Sequence, residues 1–140
     1  MSLDGNIFVF NPNTQASTQE LNVNFELLKS CLDVLGAGVY SPGQITADQN
    51  DYATLDINGD YVGILRLDTD ATRTITGLAN GVNGRGLTIL NVGSNNIVFT
   101  NEDVSSSASN RIITGTGASI TMNPNDVLRL IYDDVSATRS

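Results

Sequence analysis

YATLDINGDYVGILRL, residues 52–67, alternates apolar and polar side chains on both sides of Asn58-Gly59. Asn-Gly is a strong hairpin signal, because a type I′ turn needs positive φ at both central residues. Pairing across that turn sets Leu55 opposite Val62 and Ala53 opposite Ile64, which makes one face apolar. The alternation begins after Ser41-Pro42-Gly43 and persists through further expected strands at Arg73 to Leu78, Gly86 to Val92, Ile97 to Thr100, Arg111 to Thr114, Ala118 to Met122 and Val127 to Asp133. They recur about every ten to twelve residues, separated by Gly, Asn, Asp and Ser, as in a sandwich or jelly roll. No helix-length segment interrupts them, which argues against a parallel βαβ fold. An antiparallel β-sandwich or jelly roll is therefore expected over residues 44–140.

Residues 1–43 read differently. Ile7 to Phe10 is strand-like and stops at the turn Asn11-Pro12-Asn13. Ser17-Thr18-Gln19-Glu20 has the spacing of a capping box, so a helix starts near Thr18. Gly36-Ala37-Gly38 supplies the left-handed geometry that ends helices, so the helix runs to about Leu35. Inside it Leu21, Phe25, Leu28, Leu32 and Leu35 recur at intervals of 4, 3, 4 and 3, a heptad seam. Val23, Leu27 and Val34 widen the stripe, which then suits either a three-helix bundle or packing on the chain's own sheet. The expected protein is mainly β with one N-terminal α-helix. Its two parts are a helical segment for oligomerisation, a short trimeric stalk, at 1–43 and a β domain at 44–140.

Composition excludes several functions. The 140 residues hold no histidine and one cysteine, so Ser-His-Asp and Cys-His nucleophiles and histidine-ligated zinc cannot be assembled within one chain. The net charge is -8; residues 1–60 carry eight acids against Lys29, and residues 61–140 carry seven acids against six arginines. Such a balance disfavours nucleic acid and anionic membranes as partners. Cys31 reads as a small buried apolar residue. No signal peptide or membrane anchor is legible.

Candidate chemical motifs dissolve on inspection. Asp56-Ile57-Asn58-Gly59-Asp60 opens like a calcium loop, but Tyr61 stands where glycine is needed and Leu67 where a bidentate glutamate belongs. Asp68 with Asp70, and Asp133 with Asp134, are carboxylate pairs open to a glycosidase or a metal, although paired acids in turns are mostly solvated caps. Gly81-Val82-Asn83-Gly84-Arg85-Gly86 precedes a strand, so no helix terminus cradles a phosphate there. Arg66, Arg73, Arg85, Arg111 and Arg129 are expected to pair with the acids of the β region. Tyr40, Tyr52, Tyr61 and Tyr132 could stack on sugar rings, or serve structure alone. No cofactor, metal or catalytic residue is expected.

The text from Gly84 onward resembles a β module of bacteriophage tail fibres, baseplate appendages and other virion spikes. The resemblance rests on the glycine-led strand Gly86 to Asn91, on Asn96 to Phe99, on the arginine-led Asn110 to Ile113, and on the ending Asn123-Pro124-Asn125-Asp126 to Tyr132-Asp133. Such modules commonly finish with a tryptophan strand, whereas this chain has no tryptophan. The resemblance implies a non-enzymatic virion protein, made in the host cytoplasm, homotrimeric, and assembled with other virion proteins. It would present a β domain for host attachment, with a host-surface glycan as partner. Under that reading the serine-rich stretch with Asn101, Glu102, Asp103, Ser105, Ser106 and Ser107 is the receptor-contact candidate, although its composition suits a plain surface loop equally. The alternative from another class is a carbohydrate-binding or carbohydrate-cleaving β-sandwich that uses tyrosines and paired aspartates.

Overall fold

The computed structural model describes residues 25–28 and 38–135. The chain divides into two units, Met1–Cys31 and Leu32–Ser140. In the first, residues 25–28 are helical, and Phe25, Leu27 and Leu28 are each more than half exposed. The strand expected at Ile7 to Phe10, the capping box, Cys31, and the seam positions Leu21, Leu32 and Leu35 lie outside the described residues.

Among the described residues the second unit holds seven strands in two mixed sheets. β1 (Val39–Tyr40), β2 (Ile64–Leu67), β4 (Gly86–Asn91) and β7 (Val127–Ile131) form one, in that order; β3 (Arg73–Ile75), β5 (Ile97–Phe99) and β6 (Ile120–Met122) form the other. The antiparallel expectation holds for β4 with β7 and β5 with β6. It fails for β1 with β2, β2 with β4 and β3 with β5, which are parallel.

The register explains the parallel pairs. Ile64 lies beside Thr88 and Arg73 beside Ile97, each 24 positions later, and single parallel bridges join Ile45 to Thr69, Gln49 to Ile75 and Tyr52 to Leu78. The chain thus winds in coils of about 24 to 26 residues, each stacked on the one before, as in a short solenoid. Parallel strands need a crossover of a dozen or more residues, and a helix is the usual one. Here a segment of the opposite sheet serves instead, which is why the lack of helices did not exclude parallel pairing. β6 and β7 then run back antiparallel along β5 and β4, ending the stack.

Alternation sets the core. On β4, Leu87, Ile89 and Asn91 point inward, and on β5, Ile97 and Phe99 do. Leu87, Ile89, Ile97 and Phe99 belong with Leu65, Leu67, Ile75 and Met122 to one hydrophobic cluster drawn from both sheets. Asn91 is tolerated at an inward position because its side-chain amide donates to the carbonyls of Asn95 and Met122, and its oxygen accepts from Gly93 N.

The hairpin at Asn58-Gly59 forms with a different register. Leu55 pairs with Tyr61, and Ile64 pairs with Val39 and Thr88 in place of Ala53. Gly59 has φ of +82° and its N–H donates to Asp56 O, while Asp56 Oδ1 accepts from the N–H groups of Asn58 and Asp60. A three-residue loop with one left-handed glycine therefore replaces the two-residue type I′ turn, and the aspartate's capping of the turn tips the choice.

Candidate functional site

A concave cleft of about 420 Å3 opens on the β unit, floored by Leu78, Leu87 and Leu130 and edged by Asn110, Arg111 and Tyr132. Its lining comes from five places in the sequence: Thr54, 78–81, 85–87, 108–113 and 130–133. Arg85 and Leu87 lie at the start of β4, Asn110 ends a short 3₁₀ turn at Ala108–Asn110 and Arg111 follows it, and Tyr132 follows β7. Backbone pairing continues past β7, with Tyr132 N donating to Arg85 O and Gly84 N to Tyr132 O, so the tyrosine is held beside the first strand of the wall. A Cβ on Gly81 would overlap the Tyr132 ring, so the glycine is what lets the ring lie against the backbone.

Arg85 is the buried charge of the site, 4 % exposed. Its Nη1 donates to Thr54 Oγ1 at 2.7 Å and Asn80 O at 2.9 Å, and its Nη2 to Thr54 O at 2.8 Å and Val62 O at 3.0 Å. The guanidinium carbon sits 4.8 Å from the centroid of the Tyr61 ring. Burial pushes its pKa down, and the nearby Tyr61 opposes that. The expected pairing of this arginine with an acid is thus replaced by carbonyl and aromatic partners. Among the described residues the close ion pair is Arg73 with Asp70, at 2.7 Å.

The serine-rich loop is tied down over much of its length. Ser106 is 2 % exposed, within 2.6 Å of Thr76 Oγ1, and accepts from Asp51 N. Ser107 donates from N and Oγ to the Asp51 carboxylate, Ser105 N donates to Asp103, and Arg111 Nε donates to Ser106 O. Asn101 bridges to Ile112 and accepts from Thr114, and Glu102 N donates to Ile112 O. A stretch whose composition suits a plain surface loop thus connects parts of the chain more than fifty residues apart. Asn101, Asp103 and Ser106 are at least partly buried; Glu102, Ser105 and Ser107 are exposed.

The other motif residues fall in turns. Asp68 accepts from Gln44 Nε2, and Asp70 holds Arg73. Asp133 lines the cleft, and its carboxylate accepts from Val135 N. Tyr40 and Tyr52 pack against the core. Among the described residues no group of three or more acidic or cysteine side chains is placed to hold a metal ion, and no helix is long and apolar enough to cross a membrane.

Three carboxylates carry a pH dependence. A hydrogen bond from Ser107 holds Asp51 below the ordinary carboxylate range, the Arg73 guanidinium does so for Asp70, and the Ser105 backbone amide for Asp103. A folded-state pKa below the unfolded value contributes stability that is complete above about pH 4 and is lost as pH falls through the folded values. The melting temperature should therefore be level in this respect down to about pH 4.5 and fall below about pH 4. Asp51→Asn, which keeps an amide suited to the left-handed φ of +48°, should make that acid limb shallower. An unchanged limb would mean that Asp51 gains nothing from Ser107.

No protein family, curated protein or solved structure matches this chain.

Proposed function

We propose that the chain is a homotrimeric, non-enzymatic component of a bacteriophage particle that presents its β unit to a saccharide on the host surface. The observation that carries this reading is the cleft, in which a tyrosine ring, an apolar floor and the polar groups of Asn110 and Arg111 meet in one concavity. That combination suits a sugar, whose rings offer an apolar face and a hydroxyl rim. Most of the cleft comes from the stretch after Gly84 that resembles virion β modules, including Arg85, Leu87, Arg111 and Tyr132. The exposed Phe25 and Leu28 of the heptad seam support the trimer, and three copies would turn weak single-site contacts into avidity.

Binding without cleavage is the form of the reading we favour over a glycosidase. Asp133 is the carboxylate that lines the cleft, whereas glycoside hydrolysis commonly needs two carboxyl groups about 5 to 9.5 Å apart across the scissile bond. A glycan array paired with a reducing-sugar assay tests this. Retention of the chain on bacterial envelope saccharides with no sugar released is the expected result; release of reducing ends would replace binding with hydrolysis. Gly81→Ala should abolish retention by displacing the Tyr132 ring, at a folding cost of about 1–3 kcal/mol that leaves the protein folded. Retention equal to that of the unmodified chain would clear the tyrosine of any role.

A further inference from the structure

The outward side of the four-stranded sheet is the part of the β unit that the fold leaves without a purpose. Register places Val39, Ile64, Thr88 and Arg129 in one row across it, Arg66, Leu90 and Val127 in the next, and Ile131 beside Gly86 at the end. Val39, Val127 and Ile131 are 61 %, 63 % and 68 % exposed, while Ile64 and Leu90 are half-buried. No aspartate or glutamate stands at an outward position of these strands, in a chain with 15 acids and a net charge of -8. Arg66 and Arg129 are exposed there, and among the described residues neither has a carboxylate partner.

We propose that this face is where the β units of neighbouring copies of the chain meet, an inference that rests on the trimeric reading above and names its second contact. An exposed apolar stretch of sheet marks an interaction surface. The charge pattern selects the occupant. A threefold contact is heterologous, so this acid-free face, whose Arg66 and Arg129 have no carboxylate partner among the described residues, meets a different surface of the next copy, and a chain at -8 offers acids there. A second copy of this chain is such a neighbour.

Size sets how the face acts. Four strands about 4.8 Å apart and five residues of about 3.3 Å each give a patch of order 300 Å2, well under the roughly 800 Å2 per partner of a stable interface. The sheet contact therefore supplements the helical seam, and assembly should need both. Loss of either should raise the concentration required for assembly by at least about tenfold.

Light scattering on the full chain tests it. At about 10 μM the unmodified protein is expected at three times the 14.8 kDa chain mass. The double variant Val127→Asp with Ile131→Asp, at positions too exposed to disturb folding, should fall to the single-chain mass with an unchanged circular dichroism spectrum. Ile57→Asp, on the hairpin tip and 86 % exposed, adds a charge away from the face and should leave the mass at three chains. A double variant that stays trimeric would overturn the sheet contact and keep the trimer. A monomeric unmodified chain would overturn both. A dimer would overturn the threefold contact, whether or not the double variant dissociates it.

Discussion

Replacing Arg85 by methionine is expected to lower the unfolding free energy by about 4 kcal/mol. The guanidinium donates to the carbonyls of Thr54 and Val62 in one coil and of Asn80 in the next, and to the buried hydroxyl of Thr54. Each buried acceptor left unmade costs about 1–3 kcal/mol, offset by the lower cost of burying an apolar side chain in place of a cation. Lysine should rescue little, because one ammonium cannot copy a planar fork that serves four acceptors. Urea denaturation gives the number directly. A loss below about 1 kcal/mol would mean that Arg85 is a passenger and not the tie between coils.

Phe99→Ala should cost a similar amount, about 3–5 kcal/mol, by a different route. Phe99 is fully buried on β5, in register with Ile75 on β3 and Ile120 on β6, so its ring fills the core where a parallel and an antiparallel neighbour meet. Phe99→Leu should cost less than half as much, since most of the volume is kept. An unchanged denaturant slope with a shifted midpoint is expected, as for loss of packing within one cooperative unit. Equal costs for leucine and alanine would indicate that ring shape, and not filled volume, holds the site.

The β content was legible because alternation is local. The buried strand residues Leu65, Ile89, Phe99 and Met122 all fall within segments that the pattern marks. Which strands pair was not legible. The spacing of about ten to twelve residues looks like a series of neighbours joined by turns, yet it is half of the 24-residue return, because successive strands from β2 to β5 alternate between the two sheets. The repeat itself is hidden: stacked positions match in burial and seldom in identity, as with Leu67 beside Asn91, or Ile64 beside Thr88. A comparison of the sequence with itself at an offset of 24 could have exposed it through Leu65 with Ile89 and Ile75 with Phe99.

The cleft was legible only in fragments. Tyr132 and Arg85 were each singled out, one as a possible sugar platform and one as an expected ion-pair partner. Their union depends on β7 running back along β4, a pairing between residues more than thirty positions apart. The anchoring of Ser106 and Ser107 by Asp51 and Thr76 is equally non-local, and a serine-rich composition carries no sign of it.

The most direct measurement is co-sedimentation of the labelled full chain with bacterial cells, with and without free envelope saccharide as competitor. The chain is expected to pellet with cells of a susceptible host and to be released by the saccharide, and Tyr132→Ala should lower the bound fraction at least about tenfold while the protein remains folded. Binding that saccharide does not compete and Tyr132→Ala does not change would contradict it.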